Sequence, residues 1–228
     1  GVLTFQTENP KGYGRIIRGE DNNIAAIVEE KDASLAERAI TEVNSGIISV
    51  QSSVLGPLLD KIKNKNAAKE YYLTDIVSVA TKEGISAIPL KLDNANELLG
   101  ANTPLELHNL ERIYQESQAN KLIKGGVNVA DASRIDIRGG LIAGKGSFID
   151  INNIFEGDVE IGKAVKIGPN CFIKNSKIME GAVIKPNTVI EDSIVGPNCK
   201  VGPFARIRGG TKLDASSELG NFVEANRS

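Results

Sequence analysis

The sequence has few of the residues that nucleophilic catalysis and thiol chemistry require. It contains one histidine and two cysteines in 228 residues. The histidine, His108, lies in a helical stretch, and no arrangement of serine, cysteine or aspartate beside it marks a catalytic triad. We therefore expect no histidine chemistry from this chain.

Long apolar runs and an excess of one charge are also missing. No apolar stretch approaches the roughly 20 residues that a membrane-spanning helix needs, and no basic region followed by an apolar stretch opens the sequence as a secretion signal. The 27 Lys and Arg residues nearly balance the 29 Asp and Glu residues, and no basic stripe offers itself to a nucleic-acid backbone. These absences predict a cytoplasmic protein with neither a membrane nor a nucleic-acid partner.

Apolar residues recur at every sixth position across most of the second half of the chain. The grid runs unbroken from Ile137 to Ile173, resumes after one-residue steps at Ile178 and Val195, and ends at Leu219. A glycine often follows a grid residue directly, where a tight corner favours a residue without Cβ. This period is the hexapeptide repeat of a parallel β-helix, in which each six-residue unit supplies one short strand and one turn.

A second series, two residues before the grid residues from Ile161 to Leu219, is small or β-branched, as a narrow interior requires. Cys171 and Cys199 both belong to it. A disulfide, half of a metal site or a nucleophile are the alternatives for these two residues, but their position in the repeat favours small buried apolar side chains.

The first hundred residues have a different sequence pattern, in which short apolar strands alternate with amphipathic helices. The predicted elements are strands at 24–29, 43–50 and 85–92 and helices at 54–62 and 74–82. This is an α/β pattern. The segment has few strands for a nucleotide-binding domain and begins directly with apolar residues. It therefore resembles the C-terminal half of such a domain.

A long helix is predicted between the α/β segment and the hexapeptide repeats. Thr103 suits its N-cap, Pro104 its first turn and Glu106 the capping-box position. Gly125 and Gly126 end it after roughly 20 residues, which is about 30 Å at 1.5 Å per residue. The predicted divisions are residues 1–102, a connecting helix at 103–126, and a β-helix at 127–228. Both outer segments stop abruptly, so we expect a fragment of a longer chain.

Polar segments in the α/β part have the residue types that hold a polar ligand. The G-Y-G-R segment at 12–15 lets backbone amides approach a ligand that a Cβ would exclude. Glu29 ends a strand and Asn44 interrupts one, and a buried carboxylate or amide costs about 1–3 kcal/mol unless it is paired. A sugar would supply such partners. The alternative, a solvated strand end for Glu29 and a β-bulge for Asn44, stays open at this point.

Five segments in order resemble one enzyme family. They are G-Y-G-R, V-E-E-K-D (28–32), E-V-N-S-G-I (42–47), E-Y-Y-L-T-D (70–75) and G-A-N-T (100–103), and the repeats that follow carry P-F-A-R-I-R and G-N-F-V-E. Their order resembles the bacterial bifunctional N-acetylglucosamine-1-phosphate uridyltransferase and glucosamine-1-phosphate acetyltransferase. The resemblance implies the C-terminal part of a Rossmann-like nucleotidyltransferase domain, a connecting helix and a left-handed parallel β-helix that forms a homotrimer.

The same resemblance implies site residues and substrates. Positions implied to bind the UDP-N-acetylglucosamine or N-acetylglucosamine 1-phosphate are Gly14, Glu29, Asn44 and Asn102, with Tyr72 and Thr74 as additions to the sugar site. Asn102 is also implied to offer its oxygen to Mg²⁺, and Arg208 to bind the phosphate of glucosamine 1-phosphate. UTP and acetyl-coenzyme A are the implied co-substrates.

The resemblance also predicts what this chain lacks. We find neither the family's glycine-rich, arginine-ending phosphate loop nor its metal-binding aspartate, and Asn226 stands where the family has a lysine. The catalytic histidine and the acetyl-coenzyme A site are expected beyond Ser228, so we expect no catalytic residue and no activity from this chain alone. The alternatives are another sugar-nucleotide pyrophosphorylase with a regulatory β-helix, such as a glucose-1-phosphate adenylyltransferase, and a non-catalytic β-helix scaffold.

Overall fold

The computed structural model describes residues 1–92, 95–101 and 103–226. They divide into two compact units, Gly1–Thr103 and Pro104–Ser228. Each unit encloses its own cluster of buried apolar side chains.

The first unit is built on one mixed sheet. Its strands are β1 (Val2–Gln6), β2 (Arg15–Arg18), β3 (Ile24–Val28), β4 (Glu42–Ile48) and β5 (Pro89–Lys91), and its helices are α1 (Leu35–Arg38), α2 (Ser52–Leu59) and α3 (Asp75–Lys82), with a 3₁₀ turn at Ala95–Glu97. Among the described residues the strand order is β3-β2-β4-β1-β5. Only β1 and β5 run parallel, and the other neighbours are antiparallel.

The core of the first unit lies between this sheet and helices α2 and α3. Ile76, Val77 and Ala80 of α3 are buried on one helical face, and Leu58 of α2 joins them. Spacings of three and four residues place such side chains on one side of a helix, which is why the sequence pattern predicts this helix. Burial of each larger apolar side chain contributes about 1.5–3 kcal/mol.

Most elements predicted in the first unit are confirmed to within a few residues, but the strand predicted at 85–92 begins too early. Gly84 has φ +77° and ends α3, and the Ile85 amide donates to the Ala80 carbonyl at 2.9 Å. Residues 84 and 85 therefore complete the C-terminus of the helix. The strand that pairs with β1 begins only at Pro89.

The second unit opens with helix α4 (Pro104–Lys124), where the sequence predicts a helix. Gly126 has φ +92°. Its amide donates to the Ile123 carbonyl at 2.9 Å, and the Val127 amide donates to the Leu122 carbonyl at 3.1 Å. These two bonds form a Schellman motif, for which a glycine at the left-handed position is the preferred residue.

After α4 the chain winds into a parallel β-helix. Its strands are β6 (Asn128–Val129), β7 (Ile135–Ala143), β8 (Phe148–Ile149), β9 (Asn153–Ile161), β10 (Lys166–Ile167), β11 (Phe172–Lys174), β12 (Lys177–Ile178), β13 (Val183–Ile184), β14 (Val189–Glu191), β15 (Ile194–Val195), β16 (Lys200–Val201), β17 (Arg206–Ile207), β18 (Lys212–Leu213), β19 (Glu218–Leu219) and β20 (Glu224–Ala225), with a 3₁₀ turn at Ala132–Arg134. Every neighbouring pair is parallel. The fold predicted from the hexapeptide period is confirmed.

The strands stack into three faces. One face has the order β19-β16-β13-β10-β8-β6. The long strand β9 pairs at its start with β11 and at its end with β12, so it runs through a corner and belongs to the other two faces. From β7 onward, the paired residues of strands on successive coils are 17 or 18 positions apart, which is three six-residue units with or without one residue removed.

The predicted interior series is buried. Ile137 and the grid residues between Ile149 and Ile207 are at most 4% exposed, and Ala143 near the start of the grid and Leu219 at its end are partly covered. Cys171 and Cys199 are buried free thiols, as their position predicts, and burial raises the pKa of Cys171 to about 11. These cysteines therefore act as small core residues.

The two one-residue steps in the grid are shortened corners that lie on top of each other. Asn175 and Asp192 occupy them with φ +43° and +46°. The Asn175 Nδ2 donates to Asp192 Oδ1 at 3.1 Å, and the Asp192 amide donates to the Lys174 carbonyl at 3.0 Å. Asparagine and aspartate tolerate this left-handed backbone, so the missing residue is absorbed in the corner and the strands stay in register.

Several corner glycines are required by close approach between coils. A Cβ on Gly162 would lie 2.5 Å from the Glu180 amide nitrogen, and one on Gly144 would lie 2.6 Å from that of Lys163. A Cβ on Gly220 would meet no atom within 4 Å. All three glycines follow a grid residue. An alanine should nevertheless destabilise the fold at Gly144 and Gly162 and have little effect at Gly220.

We expect Gly162→Ala to destabilise the second unit by about 1–3 kcal/mol, because the neighbouring coil must shift to admit the methyl group. Gly220→Ala, the matched control, should change stability by less than about 0.5 kcal/mol. Urea unfolding followed by far-UV circular dichroism measures both. Equal stability of the two variants would contradict the close-approach explanation.

Candidate functional site

Three residues predicted to bind a sugar lie together at one edge of the first sheet. Gly14 precedes β2, Glu29 follows β3, and Asn44 lies in β4. The Gly14 carbonyl accepts a hydrogen bond from the Asn44 amide at 2.9 Å. A Cβ on Gly14 would lie 2.9 Å from Ile27 Cγ2 and 3.5 Å from Glu29 Oε1, so only glycine fits unless Ile27 moves.

The Glu29 carboxylate is fixed by the helix that follows. Thr74, at the N-cap of α3, donates its hydroxyl to Glu29 Oε1 at 2.8 Å. It makes no side-chain capping bond to its own helix. A threonine at the N-cap usually accepts a hydrogen bond within its own helix. Here the Thr74 hydroxyl binds Glu29 instead and orients its carboxylate beside Gly14.

Asn44 is only 8% exposed and lies at an irregularity of the β1–β4 pairing. The register shifts between Val2 and Thr4, which pair with Ile48 and Asn44, so the bulge proposed from the sequence is present. The Asn44 Oδ1 accepts the Gly46 amide at 3.1 Å. No bond from its Nδ2 occurs among the described residues, which leaves an amide donor at the site.

Two acidic residues extend the cluster on the side of Tyr72. Desolvation, followed by the charge of Asp32 and a hydrogen bond with it, raises the pKa of the Tyr72 hydroxyl. Burial, followed by the charges of Glu29 and Asp32, raises the pKa of Asp75. The site therefore concentrates negative charge and hydrogen-bond acceptors around Glu29.

The remaining predicted residues lie elsewhere. Asn102, the predicted magnesium ligand, lies outside the described residues. Within the described part of the chain, no group of three or more His, Cys, Asp or Glu side chains could hold a metal ion. Arg208 follows strand β17 in the second unit, where its Nη1 donates to Glu224 Oε1 at 3.1 Å and both side chains are about half exposed.

Comparison with known proteins finds relatives of both units. A family described as the GMPPB C-terminal domain matches residues 137–227. Curated proteins named Bifunctional protein GlmU match both units: that of Marinobacter nauticus is 47% identical over 99% of this chain and 50% of its own length, and that of Nitrosospira multiformis is 48% identical over 100% and 50%. The chain is a relative of these GlmU proteins along its whole length. That of Idiomarina loihiensis is likewise 48% identical over 100% of this chain and 50% of its own length.

The chain spans about half the length of the GlmU relatives it matches. Their similarity covers the α/β unit and the β-helix, whereas the GMPPB match is confined to the β-helix. A solved structure of the acetyltransferase domain of PglB from Neisseria gonorrhoeae is 17% identical, covers 63% of this chain and 87% of its own, and has a TM-score of 0.38.

Sequence reasoning missed two residues of this candidate site. Asp75 ends the E-Y-Y-L-T-D segment, but its nearness to Glu29 depends on how α3 packs against β3. Arg15 has a side chain only 2% exposed, with Nη2 2.6 Å from Glu30 Oε2. An arginine directly before Ile16 and Ile17 was the available signal, because a charge among apolar residues needs a partner when it is buried.

No helix among the described residues of this GlmU relative combines the length and apolar character needed to cross a membrane.

Proposed function

We propose that the first unit binds the N-acetylated sugar of UDP-N-acetylglucosamine as part of a bifunctional enzyme that makes this sugar nucleotide. The observation that carries the proposal is the fixed arrangement of Gly14, Glu29 and Asn44, with Thr74 directing the carboxylate. A carboxylate accepts hydrogen bonds from sugar hydroxyls, and an amide donor suits an acetamido carbonyl. Glycine beside them allows the sugar to approach the main chain.

The reaction we propose for the parent enzyme is uridylyl transfer. A phosphate oxygen of N-acetylglucosamine 1-phosphate forms a bond to the α-phosphorus of UTP, the bond to the β-phosphate oxygen breaks, and pyrophosphate leaves. Positioning and charge neutralisation provide most of the catalysis in such transfers. In this chain, Glu29 and Asn44 contribute the positioning of the sugar.

The proposed magnesium ion needs ligands that the described residues do not supply. We propose Asn102 as one ligand, and when bound the ion would neutralise phosphate charge. Tyr72 and Thr74 are proposed as additional members of the sugar site, Tyr72 through its hydroxyl beside Asp32.

The second unit is proposed to belong to the acetyltransferase half, which transfers the acetyl group of acetyl-coenzyme A to glucosamine 1-phosphate. Arg208 is proposed to bind the sugar phosphate, and its half-exposed ion pair with Glu224 would open for the ligand at little cost. We propose a cytoplasmic homotrimer for the parent, with the catalytic base outside this chain.

We expect the 228-residue chain to bind UDP-N-acetylglucosamine without catalysing its formation. Titration of ¹⁵N-labelled protein should shift the Gly14 and Gly46 amide resonances, and Glu29→Ala should weaken binding about tenfold or more, since each lost charge-assisted hydrogen bond is worth roughly 1.5–3 kcal/mol. Glu20→Ala, which removes an exposed carboxylate, is the matched control. A pyrophosphate-release assay with UTP, Mg²⁺ and N-acetylglucosamine 1-phosphate should give no turnover.

Each readout tests a different part of the proposal. Equal binding by the unmodified protein and the Glu29 variant would overturn the sugar site. Release of pyrophosphate by the chain alone would overturn its proposed inactivity. Absence of any binding would favour a non-catalytic β-helix scaffold.

A further inference from the structure

Arg15 is a charged side chain buried in the core of the first unit. It is the only charged residue among the largest fully buried side chains of the described part of the chain. Burying a guanidinium group is unfavourable unless all of its donors are paired, and the Arg15 Nε has no partner among the described residues. A well-packed apolar residue would avoid this cost. The role of Arg15 therefore depends on the groups that its Nη1 and Nη2 atoms bind.

Those nitrogens hold the loop that carries Gly14. The Arg15 Nη1 donates to the Tyr13 carbonyl, and Nη2 donates to Glu30 Oε2 at 2.6 Å and to the Arg38 carbonyl at 3.5 Å. The same Glu30 oxygen accepts the Gly12 amide at 3.3 Å. Arg15 thus links the loop to the end of β3 and to helix α1.

The loop needs such an external hold because it contains two glycines. Gly12 has φ +86°, and a glycine loses more conformational entropy on ordering than any other residue. The Tyr13 ring adds a second anchor by packing edge-on against Phe5, with centroids 5.4 Å apart. With these contacts in place, Gly14 is presented to the ligand without a further ordering cost on binding.

The same contacts reach the carboxylate of the sugar site. Glu29 and Glu30 are neighbours, and their side chains serve different partners: Glu29 meets Thr74 and Glu30 meets Arg15. Fixing Glu30 therefore also limits the movement of Glu29. The hydrogen bond from Arg15 lowers the pKa of Glu30, so this pair stays ionised at neutral pH.

We propose that Arg15 is a positioning residue of the sugar site, which orders the 12–14 loop and the Glu29 backbone through Tyr13 and Glu30 without touching the ligand. This inference rests on the proposed function, since it concerns the same site. It assigns a role in recognition to a residue that is only 1% exposed.

The test uses Arg15→Met, Arg15→Lys and Glu30→Gln in the 228-residue chain. Methionine fills the buried space without donors, whereas lysine keeps a charge for Glu30 but lacks the planar fork that spans two acceptors. We expect both Arg15 variants to show about tenfold faster exchange of the Gly12 amide and about tenfold weaker UDP-N-acetylglucosamine binding, the scale of effect expected when binding groups lose their positioning. Glu30→Gln retains an acceptor, so its Gly12 exchange rate and its affinity for UDP-N-acetylglucosamine should lie between those of the Arg15 variants and those of the unmodified protein.

The core amide of Ile16 separates positioning from general destabilisation. If Arg15 positions the loop, exchange at Ile16 and the urea midpoint should change little while Gly12 exchange and binding change. Equal acceleration at Ile16 and Gly12, or unchanged binding in both Arg15 variants, would overturn the proposal. Glu29→Ala is measured in parallel: if it also leaves binding unchanged, the sugar site itself is wrong, whereas loss of binding only in Glu29→Ala refutes the role of Arg15 alone.

Discussion

Replacing Phe155 with alanine is expected to lower the free energy of unfolding of the second unit by about 3–5 kcal/mol. The Phe155 side chain is 1% exposed and fills the interior of the β-helix. In the stacked coils it lies between Ile137 and Ile173, with which its main chain is paired. Because the coils are tied to each other by main-chain hydrogen bonds, they cannot close over the space that the ring leaves.

Phe148→Ala is the matched control for this change. Phe148 lies in β8, the strand that precedes the β9 strand of Phe155, but its side chain faces outward and is 38% exposed. We expect its loss to cost less than about 1 kcal/mol, as for a surface substitution. The protein contains no tryptophan, so urea unfolding is best followed by far-UV circular dichroism. Similar losses in the two variants would mean that Phe155 does not fill a rigid interior.

Gln115→Leu should destabilise the second unit by about 2–4 kcal/mol, because it leaves two buried main-chain groups without a partner. Gln115 of α4 is 3% exposed. Its Nε2 donates to the Ile137 carbonyl at 2.9 Å and its Oε1 accepts the Ile137 amide at 2.7 Å. Ile137 lies in β7, which pairs with β9, so the glutamine takes the place of a neighbouring strand on the other side.

Gln118→Leu on the same helix provides the control, since this side chain is partly exposed. Hydrogen exchange of the Ile137 amide is the most direct measurement. We expect it to become much faster in the Gln115 variant and to stay unchanged in the Gln118 variant. Slow exchange in both would show that another group protects Ile137.

The β-helix is predictable from sequence for a physical reason. Each six-residue unit places one grid residue in the interior, so the apolar period is strict and visible without any knowledge of distant contacts. Even the two one-residue steps have a local cause, because Asn175 and Asp192 form the shortened corners. The reason for the corner glycines was harder to predict: a Cβ on Gly162 meets the next coil, which is distant in sequence.

The first unit is less predictable, because its sheet depends on contacts between distant segments. The strand predicted at 85–92 begins too early, since Gly84 and Ile85 complete the end of α3. The pairing of Thr74 with Glu29 joins residues 45 positions apart. The resemblance to a family selected Glu29 and Asn44, but the local sequence indicated only that Arg15 needs a partner, not that Glu30 provides it.

The coil spacing of 17 or 18 residues has a consequence for how such a protein can change its length. Strand partners on successive coils are the same positions of the repeat, so duplication of one whole coil would add a layer whose apolar residues still point inward. Insertion of a single residue within a strand would instead turn its apolar side chain outward. This architecture should therefore tolerate duplication of complete coils and changes of length confined to corners, such as those at Asn175 and Asp192, but not insertions within strands.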